Sequence, residues 1–178
     1  MIEIVEYDPQ WPKAFCELKG ALAGALGDLA LAIEHVGSTA VPALAGKPII
    51  DIDVVIGSRK LLEKVIAALA LAGYQHQGDK GIPGREAFGR RGSDVPMDGT
   101  GRLWPPHHLY VCDKDNPELH RQLAFRDFLR CHPEYVQRYA QLKRALSRQH
   151  AGNRDAYTDG KTAFVSEVML AASTDKHQ

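Results

Sequence analysis

The sequence predicts a mixed α/β fold: a β-sheet core with helices around it and a helical C-terminal segment. Three observations lead there. Trp11, Phe15, Leu18, Leu22 and Leu26 recur at three- and four-residue steps, the spacing of one buried helix face. IIDIDVVI, residues 49–56, is a β-type run of branched residues. From Asn116-Pro117 onward the pattern is helical to near the end of the chain. With 178 residues, 44% hydrophobic and 25% charged, the chain has an ordinary globular composition. At that length folding buries about two thirds of the unfolded chain's surface, so neither disulfides nor a structural metal is needed. One domain over 1–173 is expected, helical in its last third from about 116, with a disordered tail at 174–178.

In chain order, Ile2, Ile4, Val5 and Tyr7 suggest a short extended segment ended by Asp8-Pro9, and the first helix closes around Gly27. LALAIEHV, residues 29–36, reads as a strand, and the loop GSTAVPALAGKP leads from it to IIDIDVVI. A helix over 59–72 stops at Gly73. YQHQ, REAFGRR and HHLYVC are short strands, separated by GDKGIPG and the long RGSDVPMDGTGRLWPP loop, and read as hairpin-like additions to the sheet. Asn116-Pro117 and His132-Pro133 open two helices, and 155–172 supply a third. In the middle one, Tyr135, Tyr139, Leu142 and Leu146 make the buried stripe, leaving Arg138, Lys143, Arg144 and Arg148 mainly on the other faces.

The 22 basic and 22 acidic residues cancel, which excludes a generally polybasic protein. They are not evenly spread: residues 1–60 carry 8 acids and 5 bases, residues 120–161 carry 4 acids and 9 bases. Cys16, Cys112 and Cys131 form no CxxC pair, so a disulfide framework or zinc knuckle is not expected. The acidic N-terminus and the lack of any 18-residue apolar run argue against secretion and membrane spanning, and a cytoplasmic location is expected.

The chemistry concentrates in residues 35–56. Side chains alternate along a strand, so Asp51 and Asp53 share one face while Ile50, Ile52 and Val54 take the other. Two carboxylates side by side on so apolar a strand need compensation, which a divalent ion supplies; Mg²⁺ or Mn²⁺ suits hard oxygen ligands. Upstream, Gly37 lets the backbone approach a polyphosphate and Ser38 offers a hydroxyl to it. Such a cradle ahead of a same-face carboxylate pair is what metal-assisted nucleotidyl transfer requires. The bland alternatives are an ordinary Gly-Ser turn and carboxylates that are solvated or paired with arginine.

The order V-G-S, twelve residues, then D-I-D-V resembles the signature of the nucleotidyltransferase-like superfamily. More closely, HVGSTAVPALAGKPIIDIDV resembles the GrpB (UPF0157) family, and the resemblance continues in GIPGREAF, HHLYV, HRQLAFRDFLR and RDAYTDGKTAFV, covering residues 3–171. It implies a nucleotidyltransferase-like mixed sheet, with Gly37 and Ser38 at the phosphate turn and Asp51 and Asp53 holding a metal as the catalytic pair. Similar domains fused to dephospho-CoA kinases point to nucleotide or coenzyme A chemistry. Superfamily members usually carry a third carboxylate on a later strand. Here HHLYV offers His108 and Tyr110 on one face and no acid, and the family's usual His-Leu-His ends in Tyr110.

Lys47, Arg85, His108, Arg126 and Lys161, with Tyr157, are further candidates for nucleotide or phosphate contact; each is equally readable as a solvated or packed residue. His107 and His35 are candidates of the same kind, with packing or hydrogen bonding as the alternative. DAYTDGKT nearly spells a P-loop, but Asp155 stands where the first glycine belongs and no apolar strand precedes it. Two functions are therefore carried forward. One is an Mg²⁺-dependent nucleotidyltransferase acting on a nucleotide or related phosphorylated small molecule. The other is a non-catalytic module binding a nucleotide or coenzyme A precursor, its third metal carboxylate lost. RNA ranks behind both because net charge is zero and no basic strand is rich in aromatics, and the acceptor and oligomeric state are left open.

Overall fold

Helix α1 (Trp11–Leu26) forms where the apolar steps place it, burying Trp11, Leu18, Leu22 and Leu26. The computed structural model describes residues 3–150 and 152–175. Strand β1 (Ala32–Val36) begins later than the sequence suggests, because Gly27–Leu29 form a 3-10 turn and ladder pairing starts only at Leu31 N–H, which donates to Val55 O at 2.8 Å. Strand β2 (Ile50–Ile56) is the expected β-type run. The expected helix 59–72 is a 3-10 turn over Arg59–Leu61 followed by α2 (Leu62–Leu71).

Strands β3 (Tyr74–His76), β4 (Arg85–Arg90) and β5 (His107–Asp113) complete a five-stranded sheet of order β1-β2-β5-β4-β3. It is mixed: β2 and β5 are parallel, and the other neighbours are antiparallel, as hairpin-like additions require. One face is apolar. Ile50, Ile52, Val54 and Leu109 join Leu18, Leu22, Val65 and Leu69 of α1 and α2 in the main core. The alternation turns Asp51 and Asp53 to the opposite face, where they pair in register with His108 and Tyr110 of β5.

The C-terminal segment covers part of that second face. Helix α3 (Pro117–Cys131) starts where Asn116 Oδ1 accepts from Glu118 N–H at 2.9 Å and Leu119 N–H at 3.3 Å. Helix α4 (Pro133–Gln149) follows, and the third expected helix is two: α5 (Arg154–Asp159) and α6 (Thr162–Asp175). The break falls at Gly160, where a Cβ would strike Leu146 of α4, so the corner is pressed against that helix. Helix α6 runs two residues into the stretch expected as a tail; residues 176–178 lie outside the described residues. Ile2, in the expected N-terminal extended segment, also lies outside them, while Val5 bridges to Gly46.

A second apolar cluster joins Val41, Leu44 and Ala45 of the β1–β2 loop to Phe128, Leu129, Val136, Tyr139 and Phe164 of the helices. This pins the loop carrying Gly37 and Ser38 between sheet and helices. One expectation fails on α4. Lys143, expected mainly off the buried stripe, is 2% exposed, because four residues after Tyr139 places it on that same stripe. No helix of the described residues is long and apolar enough to cross a membrane.

Asn116 also donates from its side-chain amide to Pro83 O at 3.2 Å, tying the start of α3 to the β3–β4 connection. Asn116→Ala should cost about 1–2 kcal/mol of stability, measured by urea denaturation; an unchanged midpoint would show that water replaces the cap.

Candidate functional site

The site begins at the turn after β1. Gly37 has φ 73°, a region that favours glycine, and an added Cβ would overlap the Asp51 carboxylate. Glycine is thus required twice, by backbone conformation and by the closeness of Asp51. Ser38 follows in a 3-10 turn over Ser38–Ala40, and its Oγ accepts from Lys143 Nζ at 2.8 Å. Lys143 Nζ also donates to Ala45 O, so one ammonium ties α4 to the turn and to the loop beyond it. Burial, then the charges of Lys161 and Arg144, bring its pKa down to about 7.

The two carboxylates share a face but not an environment. Asp51 is half-buried, and His108 Nδ1 donates to its Oδ1 at 2.8 Å. Asp53 is fully buried, and Arg85 donates to its Oδ1 from Nη2 at 2.7 Å and Nε at 3.2 Å. The Arg85 guanidinium lies 3.5 Å from the Tyr110 ring centroid, so the ring supports the arginine. Burial pushes the Asp53 carboxyl upward in pKa while Arg85 opposes it. The compensation that Asp53 needs therefore comes from within the chain.

Two oxygen donors of the pair bear on a divalent ion. Asp51 stands at a cavity, and Asp53 Oδ2 is buried with no hydrogen-bond partner among the described residues. They do not make a closed metal centre: no group of three or more His, Cys, Asp or Glu among the described residues could hold an ion.

The cavity, about 330 Å³, lies between the sheet face and the α4–α5 corner. Gly37, Ser38, Asp51, His108 and Tyr110 line the sheet side; Tyr139, Lys143, Arg154, Tyr157, Thr158 and Lys161 line the helical side; Lys47 reaches in from the loop. Lys47 and Lys161 flank the Tyr157 ring, their ammonium groups 5.1 and 4.7 Å from its centroid. Burial is the largest cause lowering the pKa of each, followed for Lys47 by Arg154 and for Lys161 by Lys47. Asp51 is the one carboxylate among the described residues of this lining. The near-miss P-loop string thus contributes through Tyr157, Thr158 and Lys161 at a helical corner.

Of the residues expected at a site, Gly37, Ser38, Lys47, Asp51, Arg85, His108, Tyr157 and Lys161 converge here, with Asp53 directly behind Arg85. Arg85 is corrected in role: its charge is committed to Asp53. Arg126 is corrected in place. It is absent from the cavity lining and donates to Glu34 Oε2 at 2.7 Å and His35 O at 3.0 Å, fastening α3 to β1. His35 and His107 follow the packed alternative. His35 stacks on Phe15 and bonds Thr39 Oγ1 at 2.9 Å, and His107 accepts from the Tyr74 hydroxyl at 2.6 Å. Burial, as the largest cause, brings both imidazoles down to a pKa of about 4. The sequence reading missed Lys143, Arg154 and Gln122. Only Lys143 left a signal, its four-residue spacing from Tyr139.

The family model described as GrpB protein matches residues 1–170. The chain belongs to the GrpB family. The crystal structure of GrpB from Enterococcus faecalis superposes with a TM-score of 0.82 at 32% identity, covering 99% of this chain and 100% of that one. UPF0157 protein YqkA of Bacillus subtilis is 34% identical over 92% of this chain and 45% of its own length. A dephospho-CoA kinase of Mycolicibacterium paratuberculosis is 28% identical over 96% of this chain and 46% of its own. The GrpB chain here thus spans about half the length of these two curated relatives. Its glycine-serine turn, ahead of two same-face aspartates on the next strand, is the arrangement that the nucleotidyltransferase-like resemblance implies.

Arg85→Met should destabilise the protein by about 3–5 kcal/mol, because Asp53 stays buried without its partner. Adding Asp53→Leu should restore most of the loss in chemical denaturation. If the double variant is as unstable as the single one, the unpaired carboxylate is not the cause.

Proposed function

We propose that the GrpB cleft binds the phosphate chain of a nucleotide or related phosphorylated small molecule. Four cations, Lys47, Lys143, Arg154 and Lys161, gathered around the Gly37–Ser38 turn, carry this reading. Lys47 and Lys161 are held beside Tyr157, partly stripped of water, which strengthens their attraction for an anion. Asp51 would repel phosphate if left alone. His108 offsets part of that repulsion, and an Mg²⁺ or Mn²⁺ held by Asp51, with Asp53 Oδ2 behind it, would neutralise phosphate charge when bound. Because Arg85 already serves Asp53, binding is expected to persist without the ion and to tighten with it.

Mg²⁺-dependent nucleotidyl transfer is the second reading, favoured by the unpartnered Asp53 oxygen beside Asp51. The name of the related dephospho-CoA kinase adds dephospho-CoA to the ligands worth testing.

Calorimetric titration with ATP and with dephospho-CoA, each in EDTA and in Mg²⁺, tests both readings. Affinity should fall at least tenfold in Lys47→Ala/Lys161→Ala and should survive EDTA in the parent protein. If neither ligand, with or without the ion, binds more tightly to the parent than to that variant, the reading fails. Transfer of label from α-labelled nucleotide to an acceptor, lost in Asp51→Asn, would move the second reading ahead of the first.

The pH dependence follows from Lys143. A bound phosphate raises the pKa of a nearby ammonium, so a site that is half neutral near pH 7 takes up a proton on binding. Affinity should therefore decline from pH 7 to 9, with proton uptake visible as a dependence of the heat on buffer. Lys143→Met should flatten that decline. The sign for folding is opposite: the unfolded lysine, near 10.5, holds its proton where the folded one has lost it, so ligand-free stability should rise with pH between about 7 and 10.

A further inference from the structure

The sheet face that carries Asp51 and His108 continues past the cleft. Beyond Tyr110 it runs onto β4, where Ala87 sits opposite Tyr110 and the next residue on that face is Gly89. Neither raises much side chain above the sheet. A cavity of about 420 Å³ lies over this floor, and Ile49, His108 and Tyr110 belong to its lining as well as to that of the phosphate cleft. The Gln77 side chain lies so close over Gly89 that a Cβ there would overlap it.

The lining contains Lys80, Arg90 and Arg91 and, among the described residues, no carboxylate. Arg90 is partly engaged, donating to Pro105 O at 3.2 Å. Lys80 and Arg91 are exposed, with no hydrogen bond or ion pair among the described residues. Other cations divide: Arg102, Arg121, Arg138 and Arg144 each hold a carboxylate at 2.5–2.8 Å, whereas Lys13, Lys64 and Arg148 hold none among the described residues. The cavity sets these cations around Ala87 and the Gln77 amide, a concave, positive surface with room for a ligand.

We propose that this cavity is a second binding subsite, taking a phosphorylated small molecule over Ala87, beside the Gln77 side chain that covers Gly89, with its anionic group on Lys80 and Arg91. His108 is then the wall between two ligands, oriented by Asp51 through Nδ1. The subsite does not depend on what fills the first cleft. Its occupant approaches Asp51 and His108 from the β4 side, whereas the first ligand approaches from the helical side.

Amide NMR shifts during titration with inorganic pyrophosphate, at fixed ionic strength, test the two subsites together. The expected result is two separately saturating groups of resonances, one around Gly37 and Ser38, the other around Gly89, Arg91 and Gly92. Lys80→Ala/Arg91→Ala should weaken the second group at least tenfold and leave the first unchanged, and Lys47→Ala/Lys161→Ala should do the reverse. Both pairs are accessible to solvent, and the unaffected group in each variant reports that the fold is intact. The proposal is overturned if the second group is absent, drifts without saturating, responds equally to chloride, or survives Lys80→Ala/Arg91→Ala. Saturation of both groups only by an oligoribonucleotide would assign the surface to a nucleic-acid strand and overturn the small-molecule subsite. Loss of the first group alone would remove the phosphate-cleft reading and leave this one standing.

Discussion

Asp53 is enclosed on every side, and a carboxylate without water must meet a positive charge or give up its own. Arg85 meets it across the sheet, from β4 over β5 to β2, and Tyr110 of the strand between supports the guanidinium. Much of the working face depends on that pair. It joins three strands on the side that lacks the α1–α2 core, and it satisfies one of two neighbouring carboxylates from within. Asp51 is left half-exposed to the cavity, with His108 as its hydrogen-bond partner and Lys47 and Lys161 as nearby charges. The constraint also explains why Asp51 and Asp53, alike in sequence, differ in environment: Asp53 is buried against Arg85, and Asp51 faces the cavity.

Lys143 makes the corresponding link from the helical side. Its ammonium binds Ser38 and Ala45, so α4 holds the loop that carries the Gly37–Ser38 turn. The apolar cluster of Val41, Leu44 and Ala45 with Tyr139 and Phe164 holds that loop from beneath. The cleft exists because sheet and helices are fastened at these points, and its cations come from three separate places, the loop, α4 and the α5–α6 corner. An acidic strand face and a basic helical segment, which cancel in the net charge, thus meet at one cavity.

Elements set by local pattern are legible in the sequence. The α1 stripe, the β2 run and the Asn116-Pro117 and His132-Pro133 helix starts stand where periodicity and capping chemistry put them. The Gly37–Ser38 turn and the shared face of Asp51 and Asp53 are legible too, because strand alternation is a local rule. Departures arise where a distant contact decides. Ladder pairing delays β1, the corner at Gly160 is pressed against Leu146 of α4, and Lys143 turns inward to the Ser38 hydroxyl and the Ala45 carbonyl. Arg85 and Arg126 stand out in the sequence as interacting arginines, but their partners lie 32 and 92 positions away in the chain.

By itself, then, the sequence determined the class of fold, the order of its elements, the family motifs and the strand face on which the carboxylates stand. Those follow from spacing within about a dozen residues, over which backbone geometry is nearly fixed. Only the tertiary structure decided which charges are spent inside the protein and which face the cavity. Arg85 is consumed by Asp53 and Arg126 by Glu34, whereas Lys47, Arg154 and Lys161 reach the cavity. The reason is electrostatic: a charge's role depends on its distance to opposite charge and to water, and both are set by segments far apart in the chain.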